Sequence, residues 1–131
     1  MHEISYCEGV ADAVLRRAQG RPVARIGVRI GVVHRVVAAA FQQSFELVAA
    51  GGPAEGATTE LVVVPVKGSC RDCGTLFEAT DPAPACPRCG SFDVEAEGGD
   101  EVVLEWIEYR DVEVERPDER VPEHTHPAEV G

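Results

Sequence analysis

Several features that mark membrane, secreted or catalytic proteins are absent from this chain of 131 residues. No apolar run approaches the roughly 18 residues that a membrane-spanning helix needs. The first residues include Glu3 and Glu8 and have neither a basic stretch nor a long apolar stretch, so they do not resemble a secretory signal. The motifs of serine hydrolases, P-loop nucleotide-binding proteins and HExxH zinc hydrolases are also missing. We therefore expect a cytoplasmic protein that is not an enzyme and does not bind a membrane.

Basic side chains are scarce too: the chain has 12 lysines and arginines but 23 acidic residues, so its net charge is −11. Such a field repels polyphosphates, so nucleic acid is not an expected partner and a cation is a better one. An acidic surface that only maintains solubility is the alternative. Aromatic residues make up 5% of the chain, but hydrophobic residues make up 44%, which is enough for a core.

The hydrophobic pattern alternates between helical and strand periods along most of the chain. A 3.6-residue period predicts helices, and a two-residue period or a β-branched run predicts strands. The predicted helices are 4–19 and 35–50, and the predicted strands are 23–32, 59–66 and 101–115. This order predicts an α/β (α+β) fold in which two helices cover a three-stranded sheet.

Residues 67–99 have a different composition, with four of the five cysteines and little apolar periodicity. A last strand without a partner would leave its backbone groups unsatisfied, so we expect it to pair with the first two strands. The cysteine-rich segment is then an insertion. We predict an α/β domain from 1–66 and 100–115, a zinc-binding domain at 67–99, and a disordered polar tail at 116–131.

The inserted segment contains "CRDCG" at 70–74 and "CPRCG" at 86–90. Two cysteines spaced by two residues can bind one ion from a tight turn, and two such knuckles complete a tetrahedral four-sulfur site for zinc or iron. The glycine after each second cysteine allows backbone amides to point at the sulfurs. Rubredoxin-type iron knuckles share "CPRCG", but the twelve-residue gap and the scarcity of aromatics favour a zinc ribbon. A redox dithiol and unpaired surface cysteines are the alternatives.

The sequence begins "MHE", which places a histidine beside the α-amino group. An α-amine has a pKa near ~7.7–8.0, so it is partly deprotonated at neutral pH and can bind a metal. The imidazole of His2 and its backbone amide nitrogen can close chelate rings with that amine. Ni(II) and Cu(II) tolerate such planar nitrogen ligation better than zinc does. Alone, a histidine at position two is weak evidence, because most such residues are solvated.

Taken together, the pattern resembles the HypA/HybF family of nickel metallochaperones for [NiFe]-hydrogenase maturation. The resemblance extends over about residues 1–110. It rests on "MHE", "CEG" at 7–9, "RIGVRIG", "AFQQSFELVAAGGPAEGATTEL", the two knuckles and "GGDEVVLEWIE", in that order.

The resemblance implies two metals with different roles. Ni(II) is the transported ion, bound by Met1, His2 and Glu3 and passed to the hydrogenase large subunit with the help of a maturation GTPase. Zn(II) is structural, and its implied ligands are Cys70, Cys73, Cys86 and Cys89. Some members of the family also supply urease, and a homodimer is among the expected assemblies.

One position departs from the family pattern. Members often have an acidic residue just before or within the first turn of the second helix, and the matching position here is Val37, which cannot bind a metal. His34 could compensate, although an ordinary loop residue is the better interpretation. Cys7 is expected to be a buried inert thiol, and the pair His124 and His126 is expected to have no role.

Two functions of other classes stay open from the sequence. The first is a zinc-ribbon adaptor for protein–protein interaction without a nickel role. The second is a small electron carrier with iron at the four cysteines.

Overall fold

The computed structural model describes residues 3–81 and 83–122. The predicted order of helices and strands is confirmed, with additional short strands in the second half. The elements are α1 (Glu3–Ala18), β1 (Val23–Gly31), a 3-10 turn (Val32–His34), α2 (Ala38–Ala49), β2 (Thr58–Val64), β3 (Val66–Cys70), β4 (Leu76–Ala79), β5 (Val94–Glu97), β6 (Val102–Tyr109), β7 (Val114–Glu115) and β8 (Glu119–Arg120).

The predicted three-stranded sheet is present as the neighbours β2, β1 and β6. It is larger than expected, because β7 and β8 both pair antiparallel with β6. The single strand expected at 101–115 is interrupted by a tight turn, in which the Tyr109 amide donates to the Glu113 carbonyl at 2.8 Å. Val112 in this turn has a φ of 65°, a left-handed conformation that a continuous strand does not contain.

The helices pack against each other and provide much of the core. Cys7, Val10 and Val14 of α1 are fully buried, and so are Phe41 and Phe45 of α2. These positions follow the spacing of one helical face, which is why the periodicity alone identified both helices.

Two compact units divide the chain. Within the described part, one unit comprises residues 3–29, 36–62 and 102–122, and the other comprises 30–35 and 63–101 without residue 82. The second unit contains its own three-stranded antiparallel sheet in the order β4-β3-β5. The domain boundaries expected from composition, at 66/67 and 99/100, stay a prediction.

The expectation of disorder from residue 116 onward is wrong for 116–122. Glu119 pairs with Leu104 and Arg120 pairs with Val103 of β6, and the Val121 side chain is 4% exposed. The polar, proline-containing sequence suggested disorder, but contacts with distant parts of the chain outweigh that local tendency. Residues 123–131 lie outside the described part of the chain. Neither α1 nor α2 combines the length and apolar character that a membrane span requires.

Candidate metal centre

Two knuckles of matching geometry bring the four cysteines of the second unit together. In the first, the Gly74 amide donates to the Cys70 carbonyl at 2.9 Å, and in the second, the Gly90 amide donates to the Cys86 carbonyl at 2.8 Å. Both glycines have a φ of 79°, a conformation in which a side chain would be strained. The C-x-x-C-G spacing therefore folds each segment into a turn that directs two thiols to the same side.

The sulfur atoms form a cluster whose size fits one ion. All four Sγ atoms lie within 4.8 Å of one another. The Cys70 and Cys89 sulfurs are 3.6 Å apart, and the Cys73 and Cys86 sulfurs are 3.7 Å apart. A regular tetrahedron with metal–sulfur bonds of about 2.3 Å has edges of about 3.8 Å. The four thiols, which are all free, therefore have the spacing that a tetrahedral zinc or iron ion requires.

Backbone amides of the knuckles stabilise negative charge on the sulfurs. The Cys73 amide donates to the Cys70 sulfur at 3.5 Å, and the Arg88 amide donates to the Cys86 sulfur at 3.4 Å. Hydrogen bonds from the backbone amides of Cys89 and Arg88 lower the pKa of the Cys86 thiol. Hydrogen bonds from the Thr75 hydroxyl and amide lower the pKa of Cys73 to about 6. The thiolate is the form of cysteine that binds a metal, so these hydrogen bonds favour binding of a cation at the cluster.

The fourth thiol shows why a cation is needed. The Ser91 amide lowers the pKa of Cys89, but the neighbouring Cys70 sulfur, desolvation and the other two sulfurs raise it more, to about 12. Four negative sulfurs at this distance repel one another, so they cannot all ionise together without a positive ion among them. A bound divalent metal would remove this repulsion and hold all four as thiolates.

Hydroxyl and carboxylate groups around the knuckles were not identified from the sequence. Thr75 lies 3.1 Å from the Cys73 sulfur. Ser91 donates from its hydroxyl to the Asp72 carboxylate, which connects the second knuckle to the first. The sequence does contain a pattern that indicates the two hydroxyl groups. Thr75 follows Gly74 and Ser91 follows Gly90, so the repeated pattern is C-x-x-C-G-[ST].

A comparison with protein families identifies the family to which this chain belongs. The family described as "Hydrogenase/urease nickel incorporation, metallochaperone, hypA" matches residues 1–109. The chain belongs to the HypA family. The resemblance stated from the sequence is thereby confirmed.

Individual relatives agree with this assignment over nearly their whole length. The hydrogenase maturation factor HypA of Paracoccus denitrificans is 38% identical over 117 residues, which cover 87% of this chain and 99% of that protein. HypA of Rippkaea orientalis is 31% identical over 112 residues, which cover 86% of this chain and 98% of that protein. The solution structure of the Ni metallochaperone HypA from Helicobacter pylori has the same fold, with a TM-score of 0.53 and 24% identity over 83% of this chain and 97% of that one.

Membership in the HypA family establishes the general role of the chain. It is a hydrogenase maturation factor of the nickel-incorporation type and not an enzyme. The predicted α+β fold with a four-cysteine ribbon is confirmed by the knuckles and by the solved HypA fold.

The residues expected to bind nickel are only partly covered by the structure. Met1 and His2 lie outside the described residues, and Glu3 is described only as the first residue of α1. Val37, which the resemblance matches to an acidic position of the family, is the N-cap of α2, and this residue is 62% exposed. The nickel ligand set therefore stays a prediction.

Two further candidates have partners within their own units. The ring Nε2 of His34 lies 2.8 Å from the Asp100 carbonyl oxygen. Cys7 is completely buried, and its thiol donates to the Phe41 carbonyl at 3.3 Å, as expected for an inert core cysteine. His124 and His126 lie outside the part of the chain that the structure describes.

Proposed function

We propose that this HypA protein binds Ni(II) at its N-terminus and delivers it to the [NiFe]-hydrogenase large subunit. The ligands are the Met1 amine, the His2 amide and imidazole nitrogens, and a contribution from Glu3. The observation that carries the proposal is the match to a nickel-incorporation family, which begins at residue 1 and includes "MHE". A planar set of nitrogen ligands suits Ni(II), and a chelate at a chain end is open to attack by the ligands of a receiving protein. Delivery is then a ligand exchange that needs no bond cleavage by this chain.

We also assign Zn(II) to the four cysteines as a structural ion. The closed four-sulfur geometry leaves no coordination position for a substrate, so the ion stabilises the knuckles and does not take part in chemistry. Iron is the competing ion, and with it the electron-carrier role. Metal analysis of the purified protein separates them: we expect one zinc per chain and a colourless protein, whereas a red protein with thiolate-to-iron absorption would contradict the zinc assignment.

The expected partners follow from the same role. They are a maturation GTPase and the hydrogenase large subunit, and we place the exchange in the cytoplasm, where thiols stay reduced. The four-cysteine unit could contribute a contact surface to this exchange, because Leu76 and Phe92 are 78% and 81% exposed. This observation also favours the adaptor function as the second candidate. Homodimer formation stays a prediction.

A nickel titration tests the main proposal. Three proteins are compared, each loaded with zinc beforehand: the chain with Met1 as a free first residue, a His2→Ala variant, and a chain extended by one residue at the N-terminus. We expect tight one-to-one nickel binding, with the weak visible absorption of planar Ni(II), only in the first. Equal stoichiometric binding in all three proteins would overturn the proposal and leave the adaptor function as the better account.

A further inference from the structure

The last described segment, residues 111–122, follows the part of the chain that the family model matches, residues 1–109. We call it the C-terminal strap. Its strands β7 and β8 both pair with β6, on the side of β6 that does not face β1. In the described sheet, β6 would be an edge strand without the strap, and an exposed edge strand is a template for pairing with another chain.

Arginines on α1 contact Glu115 and Glu119 of the strap. The Arg16 guanidinium lies 2.7 Å from the Glu119 carboxylate. Arg17 contacts Glu119 at 2.9 Å and Glu115 at 3.2 Å. These bonds lower the pKa of Glu119 below its usual range. The strap is thus anchored by its acidic residues to the last turn of α1.

Two more arginines extend this pattern along the strap. Arg21 contacts Glu113 at 2.6 Å and Asp111 at 3.1 Å. Arg29 of β1 contacts Asp118 at 3.1 Å. Each of the five acidic residues of the strap therefore pairs with at least one of four arginines: Arg16, Arg17, Arg21 and Arg29. This arginine set together with the edge of β6 is complementary to an extended acidic segment.

An apolar contact is added at the C-terminal end of the strap, next to Glu119. Val121 is buried, and its amide donates to the Val102 carbonyl at 2.7 Å. Gly9 of α1 leaves the room for this side chain, because an added Cβ would lie 3.0 Å from a Val121 methyl group and 3.3 Å from the Pro122 carbonyl oxygen.

Several features of the strap favour its displacement. Each of its strands has only two residues. Most of its ion pairs involve solvent-exposed side chains, and such pairs add little net stability. Val112 and Asp118 have φ values of 65° and 46°, so the strap contains strained backbone at two non-glycine positions. A segment of this kind can be displaced by a better-fitting competitor.

We propose that the edge of β6 with its arginine set is a docking site for an extended acidic segment of a partner protein, and that the C-terminal strap occupies this site as an internal competitor. The partner segment pairs with β6, places carboxylates opposite the four arginines, and ends in a small apolar residue at Gly9. Its apparent affinity is the intrinsic affinity reduced by the fraction of chains whose strap is open. The site is independent of the proposed nickel chelate, because none of its residues belongs to the expected nickel ligands.

The test uses the full chain and a fluorescent synthetic peptide with the sequence of residues 111–122. The variant Glu115→Lys/Glu119→Lys repels the arginines and opens the strap. The matched control Glu95→Lys/Glu97→Lys makes the same charge change on β5 of the other unit. Fluorescence anisotropy measures peptide binding at low and high ionic strength, and a peptide of scrambled sequence controls for nonspecific attraction. Circular dichroism and zinc content show that each variant is folded.

We expect the strap variant to bind the peptide about tenfold or more tightly than the wild type and the β5 control, with weaker binding at high salt. Equal affinity in all three proteins, or equal binding of the scrambled peptide, would overturn the proposal. Hydrogen exchange of the Val121 amide reports opening directly, and an amide as protected in the strap variant as in the wild type would also contradict it. A wild-type dimer that dissociates in the strap variant would assign the segment to exchange between two copies, and the partner site would be wrong.

Discussion

Replacing Val37 by aspartate tests both the capping of helix α2 and the proposed nickel binding. Val37 is the N-cap of α2, its backbone is extended at φ −97° and ψ 131°, and its carbonyl accepts from the Phe41 amide at 2.9 Å. No side chain caps this helix, and its first turn has no acidic residue. The site therefore has the backbone geometry of a good N-cap and an unsuitable side chain.

The size of the effect can be worked out from these contacts. An aspartate cap contributes about 1 kcal/mol through its hydrogen bond to the first turn. Its charge adds about 0.3–1 kcal/mol beside the positive end of the helix. The valine is 62% exposed, so losing its remaining burial costs only about 0.6–1 kcal/mol. We expect Val37→Asp to stabilise the protein by about 0.5–1 kcal/mol, a rise in melting temperature of about 2–6 °C.

Two companion variants separate the contributions. Val37→Ala removes the burial without adding a cap and should melt below the wild type. Val37→Asn adds the cap without the charge and should recover most of the stability. Under the proposed nickel function, Val37→Asp restores the acidic residue of the family pattern and tightens nickel binding, whereas Val37→Asn does not. Thermal unfolding of the zinc-loaded proteins and nickel titration measure the two effects. An aspartate variant that melts no higher than Val37→Ala would refute the capping argument.

Three further outcomes are expected. Gly27 of β1 lies under the Trp106 ring, and an added Cβ would overlap the indole. Gly27→Ala should therefore destabilise the protein by about 1–3 kcal/mol and shift the tryptophan fluorescence to longer wavelength. Gly52→Ala is the control, because an added Cβ there meets nothing closer than 3.7 Å, and equal stability and fluorescence of the two variants would contradict the packing. The arginines hold the pKa of Glu119 low, so its charge stabilises the fold above the ordinary carboxylate pKa and this contribution is lost as pH falls through the lowered value. The difference in stability between wild type and Glu119→Gln, followed by denaturant unfolding, should therefore shrink as pH falls below about 4.3, and a difference that grows there would show the wrong sign. Removal of the metal by a strong chelator should unfold the four-cysteine unit, because a metal-binding free energy on the order of 10 kcal/mol stabilises it. Hydrogen exchange of the Gly74 and Gly90 amides that stays slow after chelation would contradict a structural ion.

The helices and the metal knuckles could be predicted because their information is local. Three- and four-residue spacing of apolar side chains defines α1 and α2, and the observed bounds differ from the prediction by three residues or fewer. The knuckles depend only on C-x-x-C-G and the conformational freedom of glycine, so their spacing predicted the four-sulfur cluster that the structure contains.

The strap could not be predicted, because its order depends on contacts between distant residues. Glu119 pairs with arginines about one hundred positions earlier, and the separation of Arg16 and Glu119 is 103 residues. The stretch from Arg116 to Pro122 has no strand period and two prolines, so its sequence alone is typical of a disordered tail. Its contacts are with distant residues: the arginines of α1, Arg29 of β1, Gly9 and the open side of β6.

Under the proposed function, a structural ion and a transported ion place opposite demands on their ligands. A structural ion must stay bound, so it needs four ligands and no open position, as the cluster of four cysteine sulfurs offers. Hydrogen bonds in the knuckles also lower the pKa of Cys73 and Cys86. A transported ion must leave, so its ligands should be few, exposed and able to take up a proton in place of the metal. An α-amine and an imidazole have pKa values near ~7.7–8.0 and ~6.5, so they exchange metal for proton close to neutral pH. The thiolates of Cys73 and Cys86, whose pKa values are lowered by hydrogen bonds, resist protonation more strongly. Nickel placed among the sulfurs would be bound too firmly to deliver, which is the chemical reason to expect it at the N-terminus.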